Sequence, residues 1–281
     1  MKKKFTHRKI DTILHKDLNF VNEAIETIDP ENNTLVTNTG EEFTYDYLVV
    51  SSGLQLRWEM IEGAKEALWD PECPAGSMYI LPLAEKMSRL RENFRGGKAH
   101  FTVSKLPIKC GGAPQKLMYL SEETFRRNGV RGKSEIHFHS SIPKMFPVPL
   151  YSDALDEIAT RKGIHKHFSS ILSKVDKDNR TATFVSPDGE ESTHDFDLLH
   201  IVPPQTPHKY FRDSPLANPR HGFMDCDNHT LQHPVYKNCY SLGDVSACPA
   251  SKTAAAVFEQ SPIVQDHIWQ DMNGKKSSAQ Y

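Results

Sequence analysis

The segment "IDPENNTLVTNTGEEFTYDYLVVSSG", residues 28–53, decides the fold, because the chain repeats its plan at residues 175–204. The second copy reads "VDKDNRTATFVSPDGEESTHDFDLLHIVPP". Each copy has an Asp-rich turn, an alternating strand, Gly-Glu-Glu, a second strand, and an aromatic-Asp pair before an apolar run. Apolar runs without alternation are typical of strands buried on both faces. The repeat, about 150 residues long, predicts two related domains, each with a β-meander that leads into a buried strand.

Between the two copies, predicted helices and strands alternate along the chain. Such alternation is typical of a parallel sheet with right-handed crossovers. The fold class is therefore predicted to be α/β, with two related Rossmann-like dinucleotide-binding domains. One domain is expected to comprise residues 1–70 and 200–281, and the second residues 71–199. The predicted elements between the copies are helix 81–97, strand 98–103, helix 113–129, strand 134–141 and helix 151–163.

Composition excludes several classes of protein. The chain has 281 residues and a net charge of −2, so it offers no basic field for nucleic acid. No apolar run approaches the roughly 18 residues that a membrane span needs. The first residues, "MKKKFTHRK", lack the apolar centre of a signal peptide, so no targeting segment is visible. Five scattered cysteines without a CxxC pair favour a reducing compartment over a disulfide scaffold or zinc ribbon.

Fourteen histidines raise the question of a metal site. The stretches "HFH" (137–139) and "HKH" (165–167) each place two imidazoles on one face of a strand. A transition-metal site needs three or four ligands, and no further ligand is close in sequence to either pair. We therefore predict no metal site and interpret these histidines as packing residues.

The stretch "IKCGGAPQK" (108–116) contains the first candidate for chemistry. Cys110 follows a predicted strand and precedes a helix expected to begin near Pro114, which is where parallel α/β sheets bind ligands. The positive end of that helix, with Lys109 and Lys116 nearby, favours a thiolate. The alternative is a small buried thiol, as free cysteines often are. Loop position, helix and lysines together favour a reactive thiol.

The stretch "SLGDVSACPASKTAAA" (241–256) contains the second candidate. A strand is predicted to end at Gly243-Asp244, and a helix to begin by about Ser251. Asp244 is well placed to bond the hydroxyls of a sugar or polyol, while the helix N-terminus faces an electron-rich ring. The alternative is that Asp244 only caps the helix, and local sequence does not separate the two.

Four segments together resemble the mitochondrial-type sulfide:quinone oxidoreductases, which are two-dinucleotide-binding-domain flavoproteins. The resemblance covers nearly the whole chain, and its "KCGGAPQK" and "SKTAAA" stretches are specific within that superfamily. The segments are "YDYLVVSSG" (45–53), "KCGGAPQKLMYLSE" (109–122), "YSDALDEI" (151–158) and "LQHPVYKNCYSLGDVSACPASKTAAAV" (231–257).

The resemblance implies a flavoprotein that oxidises hydrogen sulfide with a cysteine pair on the face of FAD. One cysteine would become a persulfide and pass its outer sulfur to an acceptor thiol. Electrons would pass through FAD to ubiquinone at the matrix-facing surface of the inner mitochondrial membrane. Cys110 falls on one catalytic cysteine position. The residues on the family's FAD-binding positions are Ile25 near the adenine, Gly53 beside the phosphates, Gly243 and Asp244 at the flavin, and Lys252 and Thr253 at the start of the helix that faces the isoalloxazine.

The sequence departs from the family pattern at three places. No GxGxxG occurs, so the N-terminal βαβ that holds the FAD diphosphate is expected to be missing. The chain stops at Tyr281, before the family's membrane-docking and quinone-site segments. The family's second catalytic cysteine directly follows the Gly-Asp, where this chain has Val245. We hypothesise that Cys248, three residues further on, replaces it as the partner of Cys110.

Two other functions remain open. A catalytically impaired paralogue or fragment could act as a binding or regulatory protein, which Val245 and the missing βαβ favour. A type II NADH:quinone reductase would want a GxGxxG in the second domain, where "SKLPIKCGG" (104–112) stands instead. The sulfide:quinone oxidoreductase-like enzyme is the leading hypothesis.

Overall fold

The computed structural model describes residues 8–281. Most of the N-terminal segment used above for the targeting prediction, residues 1–7, lies outside the described part. The strands are β1 (Ile25–Asp29), β2 (Thr34–Thr37), β3 (Glu42–Thr44), β4 (Leu48–Val50), β5 (Gln55–Leu56), β6 (Ala75–Gly76), β7 (Gly97–Val103), β8 (Ser134–Ser140), β9 (Ile164–Phe168), β10 (Ile171–Asp176), β11 (Thr181–Val185), β12 (Glu191–Asp195), β13 (Leu198–His200), β14 (Gln205–Thr206) and β15 (Cys239–Ser241). The helices are α1 (Ala64–Trp69), α2 (Leu81–Asn93), α3 (Ala113–Arg127), α4 (Pro149–Arg161), α5 (Lys209–Arg212) and α6 (Ala254–Met272).

The internal repeat is confirmed down to the hydrogen bonds of its first turn. Oδ1 of Asp29 accepts from the backbone N–H of Asn32 at 3.2 Å, and Oδ1 of Asp176 accepts from that of Asn179 at 3.0 Å. In both turns the Asn side-chain amide donates to the other carboxylate oxygen at 2.8 Å. Each turn joins the first two strands of a three-stranded antiparallel meander, β1–β2–β3 or β10–β11–β12. A short strand follows each meander: β13 is fully buried as predicted, whereas β4 is not, because it exposes Val49 and buries only Val50.

The predicted parallel sheets are also present, so the α/β fold class is confirmed. The larger sheet has the order β6-β13-β7-β8-β9, with every neighbouring pair parallel. The smaller sheet is the parallel pair β15-β4. Large aromatic side chains fill the core beneath the larger sheet, with Phe101, Phe125 and Phe138 fully buried. The division into residues 1–70 with 200–281 and residues 71–199 remains a prediction.

None of the helices in residues 8–281 is both long and apolar enough to cross a bilayer.

Six histidines form a stack between the larger sheet and the second meander. The rings of His100 and His137 lie 4.5 Å apart, those of His139 and His167 4.4 Å, and His139 packs on Phe184 at 3.6 Å. The stack comprises His100, His137, His139, His165, His167 and His194. Within the described residues, no group of three or more His, Cys, Asp or Glu side chains has an arrangement that suits a metal ion. Their ring contacts with one another and with Phe184 pack the larger sheet against the second meander.

Hydrogen bonds within the stack require at least one neutral ring in each bonded pair. Nδ1 of His100 lies 2.9 Å from Nε2 of His139, and Nδ1 of His137 lies 3.0 Å from Nε2 of His167. A nitrogen–nitrogen hydrogen bond needs one unprotonated acceptor, so both rings of a pair cannot be charged. Burial, and then the neighbouring histidines, lower the pKa of His100 to about 3 and that of His137 to about 4. Burial likewise lowers the pKa of His139 and of His167.

The stack predicts acid-labile stability. Below the ordinary histidine pKa of about 6.5 the unfolded chain binds protons that the folded chain refuses, so the free energy of unfolding falls as the pH falls. We expect a slope approaching 1.4 kcal/mol per pH unit for each histidine kept neutral, between about pH 6.5 and pH 4. Urea unfolding at pH 7.5, 6 and 5 measures this slope. The variant His139→Phe removes one buried imidazole and should flatten it, whereas an unchanged slope would contradict the assignment.

Candidate functional site

The site forms where two loops meet, one after β7 and one before α6. The backbone N–H of Cys110 donates to the carbonyl oxygen of Lys252 at 2.7 Å. Lys109 and Lys252 pair in the manner of two parallel strands. The stretches "KCGG" and "SKTAAA", which lie more than a hundred residues apart in the sequence, are therefore side by side.

Cys110 lies where the sequence predicted, after the carboxyl end of β7 and just before α3. Its side chain is exposed, and its φ of 44° is in the left-handed region, which is uncommon for a residue other than glycine. Two contacts hold the preceding residue, since the N–H of Lys109 donates to Oε1 of Gln205 at 2.9 Å and its carbonyl accepts from the Tyr79 hydroxyl at 3.1 Å. The alternative of a buried structural thiol is therefore wrong for Cys110.

The Cys110 thiol affects the pKa of the nearby Tyr79 phenol. Burial raises the pKa of the Tyr79 phenol, and a negative charge on Cys110 raises it further. The phenol therefore stays protonated and donates to the loop that carries Cys110.

Gly53 and Gly243 lie at the matching ends of the paired strands β4 and β15. The N–H of Leu242 donates to the carbonyl of Val50 at 2.9 Å, so the two segments leave the sheet side by side. Both glycines have positive φ, 68° at Gly53 and 75° at Gly243. A Cβ on Gly243 would lie 3.1 Å from the Val257 side chain. Glycine at this position thus lets the Gly-Asp turn pack against α6.

Thr253, and not Asp244, caps helix α6. The hydroxyl of Thr253 accepts from the N–H of Ala256 at 3.2 Å, and the helix begins at Ala254 rather than by Ser251 as the sequence suggested. The capping alternative for Asp244 is therefore wrong, because another side chain occupies that role.

Lys252 is half-buried. Its backbone carbonyl binds Cys110, and its side chain lies against its own loop. Its Nζ donates to the carbonyl of Ser246 and lies 5.3 Å from the centre of the Phe223 ring. Burial lowers the pKa of Lys252, against the opposing effects of Asp244, Cys248 and Cys226. The side chain fixes residues 246–252 as one loop.

Ile25 lies in the strand where it was predicted, at the first position of β1. It lines a cavity of about 660 Å³ together with Asn38, Lys209 and Tyr210. This cavity belongs to the first meander and to α5 rather than to the two loops around Cys110.

Val245 and Cys248 both point into the protein. Val245 is fully buried in an apolar cluster with Ile28, Val50 and Met224. Cys248 is 5% exposed and packs in a neighbouring cluster, and both it and Cys110 are free thiols. Burial raises the pKa of Cys248. The loops approach each other, but the thiol contacts of Cys248 lie on the side of Cys226.

Cys226 is a neighbour that the sequence analysis missed. Its Sγ lies 3.2 Å from Oγ of Ser246, and the same hydroxyl accepts from the N–H of Cys248 at 3.1 Å. The backbone pairing of residues 224 and 246 brings it there, and no local motif signals that pairing.

Comparison with known proteins identifies relatives of this chain. No protein-family model matches the chain. The mitochondrial sulfide:quinone oxidoreductase of Dictyostelium discoideum is 39% identical over 254 residues, which are 90% of this chain and 56% of that protein. That of Mus musculus is 34% identical over 272 residues, 96% of this chain and 60% of that protein. Over nearly its whole length the chain is thus similar to the mitochondrial sulfide:quinone oxidoreductases. It spans little more than half the length of these relatives.

Solved structures agree with the family at the level of the fold. The sulfide:quinone oxidoreductase of Aquifex aeolicus superposes with a TM-score of 0.75 at 19% identity, over 91% of this chain and 61% of that one. A chain in the cryo-EM structure of the Tetrahymena thermophila mitochondrial ATP synthase superposes with a TM-score of 0.77 at 25% identity, over 92% of this chain and 64% of that one. The relatives' sequences confirm the resemblance inferred above, and these superpositions add agreement in fold.

The exposure of the five cysteines predicts the order of their alkylation. We expect iodoacetamide to modify Cys110 first and Cys226 second, because the other three are buried and burial raises the pKa of each. Timed quenching followed by peptide mass spectrometry measures each rate. If Cys73 or Cys239 reacted as fast as Cys110, the exposure that we assign to Cys110 would be wrong.

Proposed function

We propose that the protein is a sulfide:quinone oxidoreductase in which Cys110 carries the sulfur chemistry. The observation that carries this proposal is the exposed Cys110 thiol, which the bond from its N–H to Lys252 fixes beside the start of α6. The relatives' names supply the substrate and the electron acceptor. Mitochondrial localisation is proposed on the same ground, and we propose that the protein acts at the matrix-facing surface of the inner membrane.

FAD fits the residues at the proposed flavin end of its site. The hydroxyls of Ser52 and Ser241 are buried at the ends of β4 and β15, without a hydrogen-bond partner among residues 8–281. Such orphaned donors are expected to bind a ligand or water. With the left-handed turns at Gly53 and Gly243, they form a polar rim suited to a ribityl or phosphate group. Asp244 is available at the same rim, because it is not the helix cap.

The remaining proposed FAD contacts come from the start of α6 and from the first meander. Lys252 and Thr253 position the helix N-terminus toward the isoalloxazine, where its positive end favours electron density on the ring. Ile25 borders the cavity proposed for the adenine. Bound FAD would supply a two-electron acceptor for the sulfur chemistry of Cys110. The diphosphate lacks its usual GxGxxG cradle in this sequence.

The sulfur chemistry assigned to these residues is a pair of thiol exchanges. Hydrosulfide attacks the Cys110 sulfur of a Cys110–Cys248 disulfide, so that Cys248 leaves as a thiolate and Cys110 becomes a persulfide. An acceptor thiolate then takes the outer sulfur as its own persulfide and leaves Cys110 as a thiolate. Re-forming the disulfide releases the electron pair that finally reduces ubiquinone. Cys248 has this role only if its loop turns the buried thiol toward Cys110.

A second candidate is a non-catalytic member of the family with a structural role. Val245 favours it, because this position is a core residue where the family has its second catalytic cysteine. The similar chain within the Tetrahymena ATP synthase structure suggests that such a protein could belong to a larger mitochondrial assembly.

The visible spectrum separates the two candidates. For the enzyme we expect a yellow protein after FAD is added, and loss of the yellow flavin colour when sulfide is added without oxygen, because flavin is the proposed acceptor. The variant Cys110→Ser should abolish the bleaching, while Cys73→Ala, a buried cysteine in another core, should keep it. Bound FAD that sulfide does not bleach would favour the structural candidate.

A further inference from the structure

Two chain segments run side by side at the base of the 246–252 loop. Met224 and Ser246 pair as in a parallel sheet, with the N–H of Met224 donating to Val245 at 3.0 Å and that of Ala247 donating to Met224 at 2.8 Å. Two residues beyond each member of this pair come Cys226 and Cys248. Parallel neighbours are about 4.8 Å apart at such a bridge, so the two cysteines follow from a separation close to the Cα range of about 4.4–6.8 Å that a disulfide accepts.

The two residues also share one polar neighbour. The hydroxyl of Ser246 lies 3.2 Å from Sγ of Cys226 and accepts from the N–H of Cys248 at 3.1 Å. Cys226 also packs against the apolar cluster that contains Cys248, so the two residues are neighbours. Cys226 is the less buried of the two, and Cys248 is 5% exposed.

A cavity lies beside Cys248, on one side of this pair. It has a volume of about 300 Å³, and its lining includes Cys248, His221, Phe223 and Lys252. The volume suits a small peptide-like molecule. The amino group of Lys252 favours a ligand with a carboxylate.

We propose that Cys226 and Cys248 form a redox-active dithiol that exchanges with a small carboxylate-bearing disulfide of the glutathione type. The Cys226 thiolate attacks one sulfur of the small disulfide and releases one small thiol. The Cys248 thiol then loses its proton and attacks the Cys226 sulfur of the mixed disulfide, which releases the second small thiol. One dithiol and one small disulfide thus become one protein disulfide and two small thiols.

The new bond would act on the loop that holds Cys110. It ties Cys248 to Cys226. Cys248 lies four positions before Lys252, whose carbonyl accepts from the N–H of Cys110. The exchange between Cys226 and Cys248 does not require the proposed function of Cys110 in sulfide oxidation. It deepens that function, because Cys248 bonded to Cys226 is withdrawn from Cys110, so that oxidation would regulate the sulfide site.

Oxidised glutathione is the probe for the test. The reduced protein is incubated with it at neutral pH, remaining thiols are blocked with N-ethylmaleimide, and disulfide-linked peptides are mapped by mass spectrometry. We expect a Cys226–Cys248 disulfide in the natural sequence and in Cys110→Ser, which removes an exposed thiol outside the pair. In Cys226→Ser we expect Cys248 to lose its thiol on the order of tenfold more slowly, because its buried sulfur must react directly.

The alternative results are distinct. A Cys110–Cys248 disulfide that survives in Cys226→Ser would overturn this inference and would support the catalytic pairing proposed above. Glutathione that remains attached to Cys226, with Cys248 still reduced, would also overturn it, because the two thiols would then be too far apart.

Discussion

The hydrogen bond from the Cys110 N–H to the Lys252 carbonyl, 2.7 Å long, is the contact on which the site depends. A non-glycine residue in the left-handed region carries strain of about 1–3 kcal/mol, so its neighbours must hold it. Lys252 supplies the acceptor, and Gln205 and Tyr79 fix the residue before Cys110. The exposed thiol is therefore held in one place although it lies in a loop.

The same contact links the two halves of the chain. The Cys110 loop leaves the larger sheet, whereas the Lys252 loop leaves the small parallel pair β15-β4 and enters α6. Lys252 is in turn fixed to Ser246, whose hydroxyl contacts both Cys226 and Cys248. A covalent change at that thiol pair would thus reach Cys110 through a short run of backbone, which gives the dithiol a physical route to the sulfide site.

Features that depend on local sequence were predictable, and those that depend on long-range pairing were not. The Asp29 and Asp176 turns repeat because Asp followed three residues later by Asn makes the same local hydrogen bonds. Cys110 was found because a strand end followed by Gly-Gly-Ala-Pro predicts a helix start. The role of Thr253 was less clear, since Asp, Ser and Thr all cap helices, and four such residues lie between Gly243 and the start of α6.

Cys226 and the histidine stack show where the sequence was insufficient. Nothing near Cys226 indicates that it faces Cys248, because their proximity follows from pairing between distant segments. The alternation in "HFH" and "HKH" predicted imidazoles on one strand face, but not that the second meander adds His194 and Phe184 above them. The inward direction of Val245 likewise follows from packing against Ile28 and Met224 rather than from its position after Gly-Asp.

The most direct test of the central claim is to locate the sulfur that enters the protein during turnover. The protein with FAD would be mixed with sulfide and a short-chain quinone, alkylated, digested and analysed by mass spectrometry. The account predicts one additional sulfur atom on the peptide that contains Cys110. An additional sulfur on another cysteine with Cys110 unmodified, or no persulfide on any peptide while quinone is reduced, would contradict it.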